Sequence, residues 1–186
     1  MLFLPLRFLV LPIALLLLVG SFVLYKEWEK RKNQQVSYIE WEIRKYLQSG
    51  DLDKVKGLIE EGLKKGGAFK PLILSYSLQI DVGKKESEII QEMISNLRDE
   101  ELIALYTERL AFAYFKEGQK EKALKVLESI GKERFNHPSA QLLKAQILLD
   151  MGKRDEAKSV LNQTIKDSKN TYWSNIAKVL LKEVEG

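Results

Sequence analysis

Cysteine is absent from this chain and histidine occurs once, at His137. Without thiols there is no disulfide, no thiolate nucleophile, no thiolate metal site and no lipid-modified cysteine anchor. His137 directly precedes Pro138 and has no metal-ligating or base partner nearby, so it reads as a solvated or capping residue at a helix start. Four prolines and 11 glycines in 186 residues leave few breaks, which favours helices over a strand-and-turn architecture. No phosphate-cradling glycine pattern occurs, and the "KKGG" at 64–67 reads as a helix stop. An excess of one charge is also missing. The 30 basic and 26 acidic residues give a net charge of +4 and are interleaved, which implies solubility and no nucleic-acid footprint. Carboxylates are plentiful, but Asp99, Glu100 and Glu101 lie at a helix start, where acids complement the dipole. These scarcities point away from an enzyme and away from any cofactor or metal.

A long uncharged run is present instead. Residues 8–25, "FLVLPIALLLLVGSFVLY", would form a helix of about 27 Å, close to the hydrocarbon thickness of a bilayer. Tyr25, Lys26 and Trp28 follow where aromatic and basic side chains sit among headgroups, so they are the candidate membrane interface. The rival reading is a cleaved leader. Its only small-residue cleavage candidate is Gly20-Ser21, and apolar residues continue past it, which favours an uncleaved anchor. Arg7 precedes the run, whereas Lys26, Lys30, Arg31 and Lys32 follow it, so the positive-inside rule places the rest of the chain in the cytoplasm. The basic stretch "KEWEKRK" is a further candidate contact for anionic headgroups, or an ordinary charged helix face.

The remainder repeats itself. "EGQKEKALKVLESI" from Glu117 is written again as "MGKRDEAKSVLNQTI" from Met151, so Gly118 and Gly152, Ala123 and Ala157, and Leu127 and Leu161 are each 34 residues apart. Gly50 and Gly83 mark looser copies at spacings of 33 and 35. This period belongs to helix–turn–helix solenoids of the tetratricopeptide type. The fold expected is therefore all-α, a transmembrane helix followed by a helical-hairpin solenoid. Residues 1–25 form the tail and anchor. About four repeats fill 26–170, at 33–66, 67–97, 98–131 and 136–168, and 171–186 is a capping helix. No breaker separates the apolar run from the first repeat, so one long helix leaves the bilayer, its face Val36, Ile39, Ile43, Tyr46 and Leu47 turned to the core. Leu52, Val55, Ile59 and Leu63 should be buried on the next helix. Ile73, Tyr76 and Ile80 share the helix after that, and Leu102, Tyr106, Leu110, Ala113 and Tyr114 form one stripe of the helix that Asp99 caps. Ala111 and Ala145 fall where paired helices must approach closely.

In such solenoids the first helix of each pair lines a groove. By that frame Ile73, Ile80, Phe112, Phe115, Leu142, Gln146 and Leu149 are the candidate partner-binding residues, for a partner helix or an unfolded segment. The alternative is that they pack against neighbouring repeats. The stretch "LRDEELIALYTERLAFAYFKEGQKEKALKVLESI" with its partner "LLKAQILLDMGKRDEAKSVLNQTI", behind an N-terminal anchor, resembles the YfgM-like family, the ancillary subunit of the Sec translocon. The resemblance implies a single-pass inner (plasma) membrane protein with a periplasmic domain, partnered by the Sec translocon and membrane-anchored folding factors, in a chaperone network. The flanking charges imply the opposite orientation, and with it a cytoplasm-facing adaptor that scaffolds a membrane complex.

Overall fold

A computed structural model describes residues 7–185, with side chains from residue 12 onward. The expected tail at 1–6, the side chains that open the apolar run at 8–11, and Gly186 lie outside the described residues. Among the described residues the chain is nine helices and no strand. Contacts divide it into two compact units, Met1–Ile80 and Asp81–Gly186.

The first unit begins with α1 (Arg7–Ser49), 43 residues without a break at Pro12, about 64 Å long at 1.5 Å per residue. Its second half pairs with α2 (Leu52–Lys65), on which α3 (Lys70–Ser77) packs. The pairing follows the apolar periodicity. Val36, Ile39 and Ile43 are at most 4% exposed and are joined in the core by Val55 and Ile59 of α2 and by Ile73 and Leu74 of α3. Gly50, in the left-handed region at φ 76°, turns the chain between α1 and α2, and the Asp51 carboxylate then accepts the Lys54 N–H at 3.2 Å as the N-cap. Gly62 permits the close approach of α3, because a Cβ there would lie 2.5 Å from the Ile73 side chain. A polar link complements this core. The Tyr76 hydroxyl donates to Glu40 at 2.5 Å, and the Arg44 guanidinium meets the same carboxylate at 2.9 Å. Burial, and then that bond to an anion, pushes the Tyr76 phenol up to about 12.

Two expectations fail in this unit. Leu52 is 47% exposed because it opens α2, one turn before the covered face begins. Ile80 shares no helix with Ile73 and Tyr76, since α3 stops at Ser77. Beyond it the Asp81 carboxylate accepts the Gly83 N–H at 2.8 Å, a local turn that competes with further helix. The division between the units falls inside the expected second repeat.

The second unit is a run of antiparallel neighbours: α4 (Glu86–Ile94), α5 (Glu100–Lys116), α6 (Lys120–Leu127), α7 (His137–Asp150), α8 (Arg154–Asp167) and α9 (Tyr172–Glu185). Here the 34-residue copies have matching surroundings. Ala111, Ala145, Ala123, Ala157 and Leu161 are fully buried and Leu127 is 1% exposed. Gly118 and Gly152 share φ 76°, and each is followed by an N–H that reaches back to end the preceding helix, Gln119 to Tyr114 and Lys153 to Leu148. Asp99 caps α5 by accepting the Leu102 N–H at 2.9 Å. Leu102 itself is 44% exposed, not part of the buried stripe, because it lies in that uncovered first turn. The last helix closes the unit: Trp173, Ile176, Ala177, Leu180, Leu181 and Val184 pack with Leu142, Ala145 and Leu161.

Candidate functional site

Along α5 the buried residues Ala104, Thr107, Leu110, Ala111 and Ala113 occupy the sides that meet neighbouring helices. The remaining face carries Leu105 and Phe112, two turns apart and 43% and 44% exposed. Arg109 and Lys116 flank them. The Lys116 ammonium lies 5.5 Å from the Phe112 ring centroid, and Glu86 of α4 holds both cations, at 2.9 Å for Lys116 and 3.3 Å for Arg109. The bond from Lys116 keeps the Glu86 carboxyl below its ordinary value, with Arg109 adding to the effect. Two large apolar side chains are thus presented to solvent beside cations whose positions are set from α4.

Gln146, 34 residues after Phe112, is the matching surface position on α7 and is likewise exposed. The other candidates in this unit are engaged in packing. Phe115 lies against the cluster of Ala111, Ala123 and Leu127. Leu142 is 8% exposed and joins Leu149 in the cluster that α9 completes. In the first unit Ile73 is fully buried and Ile80 is half-buried past the end of α3. The structure therefore leaves Phe112 and Gln146 on the open side and adds Leu105, which the repeat frame did not single out. Its signal was available, since seven residues separate it from Phe112 on one helix.

A second exposed apolar surface lies on α1. Ile13, Leu15 to Val19, and Phe22 to Leu24 are each between 54% and 72% exposed. Among the described residues no helix is long and apolar enough to cross a membrane. The expected run starts at residue 8, four positions before the first described side chain. At its far end Tyr25 and Trp28 are exposed with ring centroids 6.1 Å apart, Lys26 lies 6.0 Å from the Phe22 ring, and Lys32 lies 5.1 Å from the Trp28 ring. Tyr25 thus pairs with Trp28, whereas Lys26 lies against Phe22.

His137 is half-buried at the start of α7, its Nδ1 3.3 Å from the Ile130 carbonyl oxygen. Among the described residues no three His, Asp or Glu side chains are grouped to hold a metal ion.

The sequence profile of the tetratricopeptide repeat-like domain matches residues 7–186. An uncharacterized protein of Aquifex aeolicus (strain VF5) is 32% identical over 177 residues, which cover 92% of each chain.

Proposed function

The chain belongs to the tetratricopeptide repeat-like family, whose domains are protein-interaction scaffolds, and on that premise we propose that it is a membrane-anchored module that binds protein partners through the open face of α5. The observation that carries this reading is the pair Leu105 and Phe112, large apolar side chains left in solvent on one face of α5 while its other sides are buried against neighbouring helices. A partner helix or extended segment would cover them, with Gln146 on α7 as the polar neighbour. Replacing both residues, Leu105→Asp with Phe112→Asp, should abolish partner capture from solubilised membranes while circular dichroism stays unchanged. Capture at the wild-type level would contradict the reading.

The anchor is residues 8–25. An uncharged stretch of that length with solvent-facing leucines has no core to enter, and bilayer hydrocarbon would take it up. Anchoring confines the module to the membrane surface, where a weak groove affinity becomes useful occupancy. The likeness to YfgM-like proteins supports an inner-membrane setting with the repeats on the periplasmic side, acting beside the Sec translocon and membrane-anchored folding factors. One observation favours a second reading: the cations Lys26, Lys30, Arg31 and Lys32 follow the run, as they would in a cytoplasm-facing adaptor. An alkaline-phosphatase reporter fused after residue 186 separates the two. High activity places the repeats in the envelope. Inactivity of a stable fusion places them in the cytoplasm.

A further inference from the structure

Just beyond the apolar run, Lys26, Lys30, Asn33 and Ser37 follow one another at four, three and four residues, which puts them on one face of α1. The α2–α3 connection is held against that face, where the Asn33 side-chain oxygen accepts the Ala68 N–H at 3.3 Å. Gly67 makes the contact possible. It sits at φ 90°, and a Cβ there would lie 2.8 Å from the Asn33 oxygen. Between helix and connection is an open cleft of about 590 Å³ lined by Lys26, Glu29, Lys30, Asn33, Ser37 and Phe69. Its charges are unequal. Lys26 is 3.0 Å from Glu29 and Arg31 is 3.2 Å from Glu27, so both acids of this stretch are matched, while Lys30 has no acidic partner among the described residues.

We propose that this cleft binds the phosphate headgroup of an anionic phospholipid, through Lys26 and Lys30, so that the first unit is seated on the membrane as well as tethered to it. The inference rests on the anchor assigned to residues 8–25. At 1.5 Å per residue Lys26 and Lys30 stand about 1.5 and 7.5 Å beyond Tyr25, within a headgroup layer of about 5–7.5 Å. Their backbone positions therefore span the headgroup layer in which the phosphates lie. Lys26 has donors to spare for a phosphate because its exposed pair with Glu29 is weak. Asn33 and Ser37 line the same cleft about 12 and 18 Å beyond Tyr25, outside that layer. Two cations near the surface correspond to roughly a 30-fold preference for an anionic over a zwitterionic lipid.

The test uses the full chain in phosphatidylcholine vesicles and in vesicles containing one part in three phosphatidylglycerol. Insertion is read by resistance to alkaline carbonate, and occupancy by hydrogen exchange over residues 66–71 and 26–37. Exchange at 66–71 should be several-fold slower in the anionic vesicles. The double variant Lys26→Glu with Lys30→Glu should lose that difference, and Lys26→Arg with Lys30→Arg should keep it. Equal exchange in both vesicles with the chain fully inserted would overturn the proposal. So would the same slowing produced in phosphatidylcholine vesicles by inorganic phosphate alone, which would make this a free-phosphate site. A chain extracted by carbonate would overturn the anchor, and this site with it.

Discussion

The two units solve the same packing problem by different means. In the second, close approach is written into the repeat: Ala111 and Ala145 on first helices, Ala123 and Ala157 on second helices, and Leu127 and Leu161 filling the space between, all at most 1% exposed. In the first, α3 reaches only Ser77, and the approach depends on Gly62 and on a buried polar link, Tyr76 to Glu40 with Arg44 behind it. A repeated apolar interlock tolerates degeneracy elsewhere in the sequence. A single hydrogen-bonded link does not, because losing Tyr76 leaves the buried Glu40 carboxylate with only the Arg44 donors.

That contrast can be broken from either side. The largest effect should come from Leu161→Ala, which removes a fully buried side chain shared by α8, α7 and α9. It should cost about 3 kcal/mol, read as a lower midpoint in denaturant with early loss of protection in α9 and no change in α1–α3. Next is Tyr76→Phe, which should cost about 2 kcal/mol. Hydrogen exchange should show that loss in α1–α3 and not in α4–α9. The same residue sets a pH dependence. Its folded-state value is raised from 10.0 to about 12, so its contribution is complete below pH 10 and vanishes as pH climbs toward 12. The phenylalanine variant should lack that alkaline step. The smallest effect is expected from Gly118→Ala. Nothing lies within 4 Å of the added Cβ, so only the left-handed backbone at φ 76° opposes it, at about 1 kcal/mol. A neutral result there would mean that the turn geometry is set by the flanking helices alone.

How far the sequence could be read follows the same contrast. The 34-residue copies were legible because buried alanines and turn glycines recur in identical roles, so Gly118 and Gly152 could be paired before their φ values were known. The last helix was legible as a helix too, since its apolar series runs its full length without interruption. Ile80 was misplaced because the Asp81 turn leaves no trace in hydrophobic periodicity. The Glu40–Tyr76 link was invisible for a related reason: it joins residues 36 apart through polar atoms that a period count ignores. Gly62 passed unnoticed inside a helical pattern, where only a neighbour's proximity explains it. At the candidate site two residues that the repeat frame singled out, Phe112 and Gln146, are exposed. That frame did not anticipate that α9 would cover Leu142 and Leu149, because a frame assigns faces and cannot say which of them another helix will cover.

The reading stands or falls on whether partners bind at the open face of α5. A photo-reactive amino acid placed at Phe112 of the full chain in living cells tests it most directly, with the exposed Ser159 on α8 as the comparison. A discrete adduct is expected at position 112, removed by the Leu105→Asp change, and none at 159. No adduct at 112, or equal labelling at both positions, would contradict it.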